Sequence, residues 1–499
     1  MFHYWLSGLF IALSPYNLLT ILLGTSLGIM AGAIPGISGT MALALAVPVT
    51  YAMDPYSAIL LLVSLYGSSV YSGSISGILF RTPGAPEGVA ATLDGHEMAK
   101  QGRAGEALGI DIFSSVMGGL FGGIALALIA PLLAKVALEF GSAEYFAIAV
   151  LGLSVVSSFG TKNEMKAIIA ALIGLFVACI GIDKITGFNR FTFGTTSLMG
   201  GVSFIPVIIG LFAVAEVVHR IVKSEKIEKV KTKTMAKLPS LKVINALKGL
   251  LLRSATIGTF IGILPGVGGT AASFVSYSEA VRWSKTPEKF GTGMPEGIAS
   301  AEAANNAAAS GAMVPLLTLG IPGSAGTAIM LGAFLIHGLK PGPLLFLQQP
   351  DLVYTIFVGI FLANLSIIFL AKLFIRYFVK VIALPYRVLG PGIVICCIVG
   401  TFAIQNSFGD IWIMVLFAII GFFMEKYNYP LAPVILGVVL GPIVEENLRQ
   451  AMIISGNNPW VLVDSPLSAT LIGLSVLSIF SPQLRLLYKK VKNSRTENN

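Results

Sequence analysis

Two runs of glycine and proline interrupt apolar sequence in a pattern suited to holding a charged solute. Residues 28–40 read GIMAGAIPGISGT and residues 258–270 read GTFIGILPGVGGT. Gly28, Gly32, Pro35, Gly36, Gly39 and Thr40 align without a gap on Gly258, Gly262, Pro265, Gly266, Gly269 and Thr270. A second pair follows each copy. Ser72-Gly73 leads to Pro83-Gly84, and Ser310-Gly311 leads to Pro322-Gly323, with one residue inserted in the later copy. Proline inside a helix removes a donor and clashes with the preceding turn, at about 3 kcal/mol, and glycine adds roughly 1 kcal/mol. Backbone left unpaired in lipid is costlier still, so such breaks are tolerated only inside protein or beside water. There they create half-helix ends. Free N–H groups at helix starts suit an anion, and freed carbonyls suit Na+. The plainer reading is that glycine permits close helix packing and proline only kinks. Both motifs recurring in both halves favour the first.

Polar residues gather around the breaks. Ser38 and Thr40 flank the first, Thr270 and Ser273 the second, and Ser68, Ser69, Ser72, Ser74 and Ser76 crowd one apolar run. Asn305 and Asn306 lie in EAANNAAASG, where two adjacent amides need partners. A carboxylate or a hydrated cation would serve, and so would an interhelical hydrogen bond. Glu302 beside them is either a cation ligand or the interfacial end of its helix. Arg81, the first basic residue of the chain, precedes Thr82-Pro83-Gly84. Its fork suits a carboxylate, and equally it suits a membrane boundary where arginine snorkels.

The elements that must position these residues are membrane helices. The chain has 499 residues, of which 55% are apolar and only 11% charged, against roughly 25% charged in soluble domains. Charge is expensive in hydrocarbon, so most of this length belongs in or against lipid. Apolar runs near 16–34, 37–52, 57–80, 107–138, 142–159, 165–182, 198–219, 250–275, 303–336, 352–382, 387–405, 409–425, 430–446 and 466–483 approach or exceed the span length of about 20 residues. The expected fold is an all-α integral membrane bundle of about 10–14 membrane elements, with discontinuous helices and re-entrant hairpins.

Charge placement orders these elements. No Lys or Arg occurs between Met1 and Phe80, so no positive region marks a cleaved signal peptide. The segment Arg220–Arg253 and the tail RLLYKKVKNSRTENN are basic, and the positive-inside rule puts both in the cytoplasm. Because each abuts a span, a nucleic-acid patch is a poor reading. The expected organisation is a first repeat at 16–219, a basic linker at 220–249, a second repeat at 250–446, an extra helix at 466–483 and a basic tail at 484–499. The N-terminus, without basic residues, is better placed outside, which makes the repeats inverted.

Other chemistries find no support. No G-x4-G-K-[ST] phosphate loop, His-Glu-x-x-His or Gly-x-Ser-x-Gly motif is present. The four histidines are scattered, and Cys179, Cys396 and Cys397 sit in apolar runs with no metal or disulfide spacing. An enzyme is not expected, nor a cofactor.

The run from Pro35 to Gly109, EAANNAAASGAMVPLLTLGIPGSAGTAIMLGAFLIHGLKPGP from Glu302, YPLAPVILGVVLGPIVEENLRQAM from Tyr429 and RFTFGTTSLMGGVSFIPVIIGLFAVAEV from Arg190 resemble the large permease subunit of the tripartite tricarboxylate transporter family. The resemblance covers nearly the whole chain. It implies a bacterial inner-membrane permease working with a small four-span membrane subunit and a periplasmic solute-binding protein. Transport would be driven by an ion gradient, Na+ or H+, with citrate, other di- and tricarboxylates or aromatic acids as substrates. It implies a translocation site at the breaks Pro35-Gly36, Pro83-Gly84, Pro265-Gly266 and Pro322-Gly323 and at Asn305 and Asn306; the polar and small residues beside them, Ser38, Gly39, Thr40, Arg81, Thr82, Gly269, Thr270 and Ser324, are read as further substrate- or ion-binding candidates. Na+ would rest on carbonyls near Gly36, Gly266 and Asn305, with no transition metal. Two departures stand out. The family usually has Asn where Arg81 stands and commonly Asp-Gly where Gly200-Gly201 stands. The rival reading is a stand-alone carrier or channel, which would transport without partners.

Overall fold

A computed structural model describes residues 2–34, 37–82, 84–158, 164–223, 236–381 and 386–479. The first half contains α1 (Phe2–Ala12), α2 (Pro15–Ala33), α3 (Gly39–Thr50), α4 (Pro55–Ser72), α5 (Ile75–Phe80), α6 (Val89–Met98), α7 (Ala104–Ala137), α8 (Ser142–Ser158) and α9 (Glu164–Ala178). It closes with α10 (Phe204–Ile208) and α11 (Ala215–Lys223), joined through a π-helical stretch at Ile209–Val214. The second half contains α12 (Leu241–Ile263), α13 (Gly268–Trp283), α14 (Pro295–Gly311), α15 (Met313–Leu319), α16 (Ala325–Ile336), α17 (Pro343–Gln348), α18 (Pro350–Val381), α19 (Tyr386–Gln405), α20 (Phe408–Lys426) and α21 (Ala432–Ile454). A two-residue antiparallel pair, Gly181–Ile182 with Asn189–Arg190, is the only strand pairing among the described residues.

The architecture is that of an all-α polytopic membrane protein. Among the described residues, seven helices are long and apolar enough to cross a membrane, and six further apolar helices are shorter, including Gly39–Thr50 and Ala325–Ile336. Those two are pieces of interrupted runs. The expected run at 57–80 divides at Gly73, the run at 250–275 at Leu264–Val267, and the run at 303–336 at Ala312 and again at Gly320–Ser324. Helix α1 was not expected, because its 11 residues fall short of a span. The linker expected at 220–249 is entered by α11 and left by α12, and its centre and the 484–499 tail lie outside the described residues.

The chain forms two compact units that cut across its sequence halves: Met1–Leu138 with Ser203–Asn428, and Glu139–Val202 with Tyr429–Asn499. In each, a helix from one half crosses a helix from the other through glycine. A Cβ on Gly174 of α9 would lie 2.0 Å from the Val434 carbonyl oxygen of α21 in the smaller unit. In the larger unit, a Cβ on Gly210 would lie 2.4 Å from the Met414 carbonyl oxygen of α20. The sequences at the two crossings match, Pro206-Val-Ile-Ile-Gly210 and Pro433-Val-Ile-Leu-Gly437.

The larger unit is built on two buried central helices, α4 and α14. In α14 every residue from Gly297 to Gly311 is buried, as expected of a helix packed on all sides. Small residues bring its neighbours to backbone contact. Cβ atoms at Gly28 and Gly32 of α2 would lie 2.3 and 2.4 Å from carbonyl oxygens of α4, at Leu65 and Ser69. Cβ atoms at Gly258 and Gly262 of α12 would lie 2.1 and 2.3 Å from those of α14, at Ala304 and Ala308. A methyl at any of these would force the helices apart, at about 1–3 kcal/mol each. The loop before α14 is tied to α6 by the buried carboxylate of Asp94. It accepts N–H bonds from Gly291, Gly293 and Met294 at 2.8–2.9 Å and the Tyr277 hydroxyl at 2.8 Å.

Candidate functional site

Four helix junctions in the larger unit carry the residues singled out by sequence. In the first half Gly84 packs on the first break: its Cβ position lies 2.1 Å from the Gly32 carbonyl oxygen. Its N–H donates to the Gly73 carbonyl at 2.9 Å. In the second half Gly323 packs on the matching residue, with its Cβ position 2.9 Å from the Gly262 carbonyl oxygen, while its own carbonyl accepts from Gly266 N–H at 2.9 Å. Pro265, Pro322 and Gly323 are buried, and Gly266 is half-buried. Pro35, Gly36 and Pro83 lie outside the described residues.

Packing revises the alignment of the two junction pairs. Gly73 caps α4 as Ala312 caps α14, Arg81 caps α5 as Gly320 caps α15, and Gly84 stands where Gly323 stands. This register needs no inserted residue, and Ser72-Gly73 answers to Gly311-Ala312 rather than to Ser310-Gly311. Arg81 therefore holds a left-handed cap (φ 58°, ψ 18°) that its counterpart fills with glycine (φ 71°). Its side chain and Thr82 are exposed.

The helix starts differ in what they leave free. At α3 the Ser38 hydroxyl accepts from Met41 N–H at 3.1 Å and pairs with Thr40 Oγ1 at 2.9 Å. At α16 Ser324 and Thr327 form a reciprocal capping box, and the Ser324 hydroxyl also meets Tyr66 OH of α4 at 2.9 Å. Helix α13 has no side-chain cap. Its first turn, Gly268-Gly269-Thr270, opens on a left-handed glycine, Gly268 (φ 72°), and follows another, Gly266 (φ 78°); no side chain caps its donors, the kind of helix start that suits an anion. Thr270 contributes its carbonyl to the Ser273 hydroxyl at 2.8 Å.

The asparagine pair divides its work. Asn305 is fully buried, and neither Oδ1 nor Nδ2 has a hydrogen-bond partner. Its amide faces the open start of α13, because a Cβ on Gly269 would lie 2.3 Å from Asn305 Oδ1, with the Glu87 side chain 3.4 Å away. Asn306 turns elsewhere. Its Nδ2 donates to the Glu302 backbone carbonyl at 3.1 Å and to Glu302 Oε2 at 3.4 Å. It also lines a small cavity with Tyr66, Ser68, Ser310 and Asn364. Glu302 is not at a helix end: it lies in the interior of α14, fully buried.

The structure thus brings Gly269, Asn305 and Glu87 together, and Tyr66 with Ser324, while Arg81 and Thr82 stand outside this buried group. Tyr66 and Glu87 were not read from sequence. A tyrosine in an apolar run looks like core, and Glu87 looks like loop. No group of three or more His, Cys, Asp and Glu suited to a metal exists among the described residues.

The smaller unit has a charged cluster of its own. Arg190 binds Glu445 at 2.6 and 3.2 Å, and Arg449 binds Asp183 at 2.6 Å, beside a cavity of about 240 Å³ that Gly200 and Gly201 help to line. The Thr186 N–H, then Arg449 and the Ile185 N–H, hold the Asp183 carboxyl well below the usual carboxylate range. Lys184 pairs with Glu446. Acids and bases balance here, so the cluster leaves no unmet charge for a ligand.

The chain is similar in sequence to known proteins over most of its length. The family model described as the tripartite tricarboxylate transporter TctA family matches residues 18–436. The chain is 38% identical over 469 residues to a 52.8 kDa protein of the TAR-I ttuC' 3' region of Agrobacterium vitis, covering 94% of this chain and 93% of that one. It is 41% identical over 222 residues to a protein of the TAR-II ttuC' 3' region of the same organism, covering 44% of this chain and 92% of that one. No solved structure matches. Most of its length, from α2 to the start of α21, therefore fits one family description, and the chain belongs to the tripartite tricarboxylate transporter TctA family.

Proposed function

We propose that this multi-pass membrane transport protein carries di- or tricarboxylates, or related organic acids, into the bacterial cell, driven by a gradient of Na+ or H+. It does so as the large inner-membrane subunit of a system with a small four-span membrane subunit and a periplasmic solute-binding protein. The linker and C-terminus face the cytoplasm, and the two halves act as inverted repeats.

The carrying observation is the unsatisfied amide of Asn305 beside the uncapped start of α13. A buried amide without partners is strongly disfavoured, and an uncapped helix start concentrates positive potential. With the Asn305 amide turned so that Nδ2 rather than Oδ1 faces the start of α13, one carboxylate group would accept from Asn305 Nδ2 and from the N–H groups of Gly269 and Thr270. The α3 and α16 starts already spend donors on Ser38 and Ser324, so they would line the path without binding the anion directly. Arg81, with its exposed guanidinium, would draw the anion toward the first junction.

The test is uptake of labelled citrate, other tricarboxylates and dicarboxylates into vesicles carrying this chain with its two partners, with and without Na+ and with and without a proton gradient. Saturable uptake that needs the partners and one of the gradients is expected. Equal uptake by this chain alone would instead make it a stand-alone carrier, and no uptake of any organic acid would end the proposal.

A further inference from the structure

Two carboxyl groups in the larger unit are left without a counter-charge. Asp111 of α7 and Glu302 of α14 are both fully buried. Asp111 Oδ1 accepts from the Ser74 hydroxyl at 2.7 Å, and Glu302 Oε2 accepts from the Ser115 hydroxyl at 3.0 Å and from Asn306. Their other oxygens, Asp111 Oδ2 and Glu302 Oε1, have no partner, and the buried Tyr71 hydroxyl has none either. Asp111 and Ser115 stand one helical turn apart on the same face of α7. Since Ser115 reaches Glu302, the two carboxyls line one side of the α7–α14 interface. Tyr71 has both as charged neighbours, and Glu87 is the further acid that acts on Glu302. No Lys, Arg or His pairs with either carboxyl among the described residues.

This is the opposite of Asp94, whose carboxylate is saturated by four donors. A carboxylate held in apolar surroundings without a cation is strongly unfavourable, so the pair requires a proton or a bound cation. The donors are all hard oxygens apart from one amide, which excludes a preference for soft transition metals. Ca2+ takes roughly 6–8 oxygen ligands and Mg2+ keeps several waters, more than two carboxyls and three hydroxyls in a fully buried site supply.

We propose that Asp111 and Glu302, completed by Tyr71, Ser74 and Ser115, bind the hard monovalent cation, Na+ or H+, that is coupled to transport. The inference rests on the gradient-driven reading above and gives its ion a place. Coupling runs along one helix. Glu302 lies one turn from Asn305 and Asn306 on α14, and Asn306 bonds Glu302 directly, so neutralising Glu302 changes the platform that presents Asn305. The α7–α14 contact is backbone-close: a Cβ on Gly118 would lie 2.1 Å from the Ala303 carbonyl oxygen. A small change at the pair is therefore passed to α14 rather than absorbed.

The experiment follows the thermal unfolding of the purified full-length chain in nanodiscs. NaCl replaces choline chloride at constant ionic strength, and in a second series pH is lowered in choline chloride. Saturable stabilisation in one series is expected for the unaltered chain. Asp111→Asn and Glu302→Gln should each raise the half-saturating concentration by about tenfold or more, the range for losing a hydrogen-bonded charge. A Na+ response lost in the variants assigns Na+. A chain silent to Na+, whose pH response vanishes in the double variant, assigns H+. If the acid variants fail to fold, Ser74→Ala and Ser115→Ala, which remove one hydrogen bond from each carboxyl, should still weaken the response several-fold. A chain that responds to neither ion, a double variant that responds like the unaltered chain, or unchanged responses in both serine variants would overturn the assignment. Uptake is read separately. A chain that binds the ion and moves no carboxylate loses only the functional proposal, whereas coupled uptake with an unaltered ion response in the variants loses only this one.

Discussion

The two junction pairs of the larger unit share a backbone plan and differ in what they leave unsatisfied. At the helix start after the first break the hydroxyls are spent: Ser38 caps α3, and Ser69, whose Oγ lies 2.3 Å from a Cβ position on Gly39, donates to the Tyr66 carbonyl at 2.8 Å; the unpartnered Ser76 Oγ lies away from that start, near Gly84. In the second half α13 starts uncapped and Asn305 keeps a whole amide free. The two helix starts that follow the matched breaks thus differ: α3 is closed by its own serine and α13 has no side-chain cap. Pseudo-symmetry supplies the scaffold, and the departures from it supply the chemistry. A substrate bound symmetrically at both junctions is a poor fit to this inventory, and one anchored at the second junction is a good one.

The largest effect that would sharpen this contrast is at Asn305. Asn305→Leu keeps volume and removes the amide, and the initial rate of carboxylate uptake should fall by about a hundredfold, the scale of one charged hydrogen bond of up to 3 kcal/mol. Ser69→Ala at the first junction should change the same rate by less than about fivefold, because its hydroxyl already has an internal partner. Equal losses at both positions would erase the asymmetry.

A smaller contrast concerns how tightly each junction is closed. A methyl at Gly84 meets the Gly32 carbonyl oxygen at 2.1 Å, whereas at Gly323 the nearest atoms, in Ala312 and Gly262, lie at 2.8–2.9 Å. Gly84→Ala should destabilise by about 3 kcal/mol and Gly323→Ala by about 1 kcal/mol, the upper and lower ends of overpacking. The pair is compared by denaturation of the purified chain in detergent. The reverse order would mean that the second junction, not the first, is the rigid one.

Much of this was legible in the sequence. Gly and Pro at a fixed offset cannot be replaced without rebuilding the backbone, so the repeat and its four breaks stand out from residue types alone. Asn305 was also visible, because two adjacent amides are out of place in an alanine-rich segment. What was hidden depends on contacts distant in the chain. Asp111 reads as an isolated acid near the start of a long apolar run, and only Ser74 and the Ser115–Glu302 contact reveal its pairing. Glu302 left two readings open, and burial on every face of α14 closes the interfacial one. The exchange of helices between sequence halves was equally unreadable, since Gly174 meets Val434 and Gly210 meets Met414 across hundreds of residues. The insertion placed between Ser-Gly and Pro-Gly in the second copy came from matching residue types, whereas helix caps set the register.

The smallest expected effect isolates Arg81, where the first junction carries strain that the second avoids. A side chain in the left-handed region costs roughly 1–2 kcal/mol, which Gly320 escapes and which asparagine softens by local hydrogen bonding. Arg81→Gly should therefore raise stability by about 1 kcal/mol, Arg81→Asn by a fraction of that, and Arg81→Lys by almost nothing. Uptake is expected to follow a different order. If the guanidinium gathers the anion, Arg81→Lys keeps the charge and most of the rate, while Arg81→Gly and Arg81→Asn both raise the half-saturating substrate concentration several-fold. Strain kept at the price of stability argues for function, and the two orders separate the causes: backbone relief ranks glycine first, whereas loss of charge treats glycine and asparagine alike. Uptake by the glycine and asparagine variants equal to that of the unaltered chain would leave Arg81 with no part in transport.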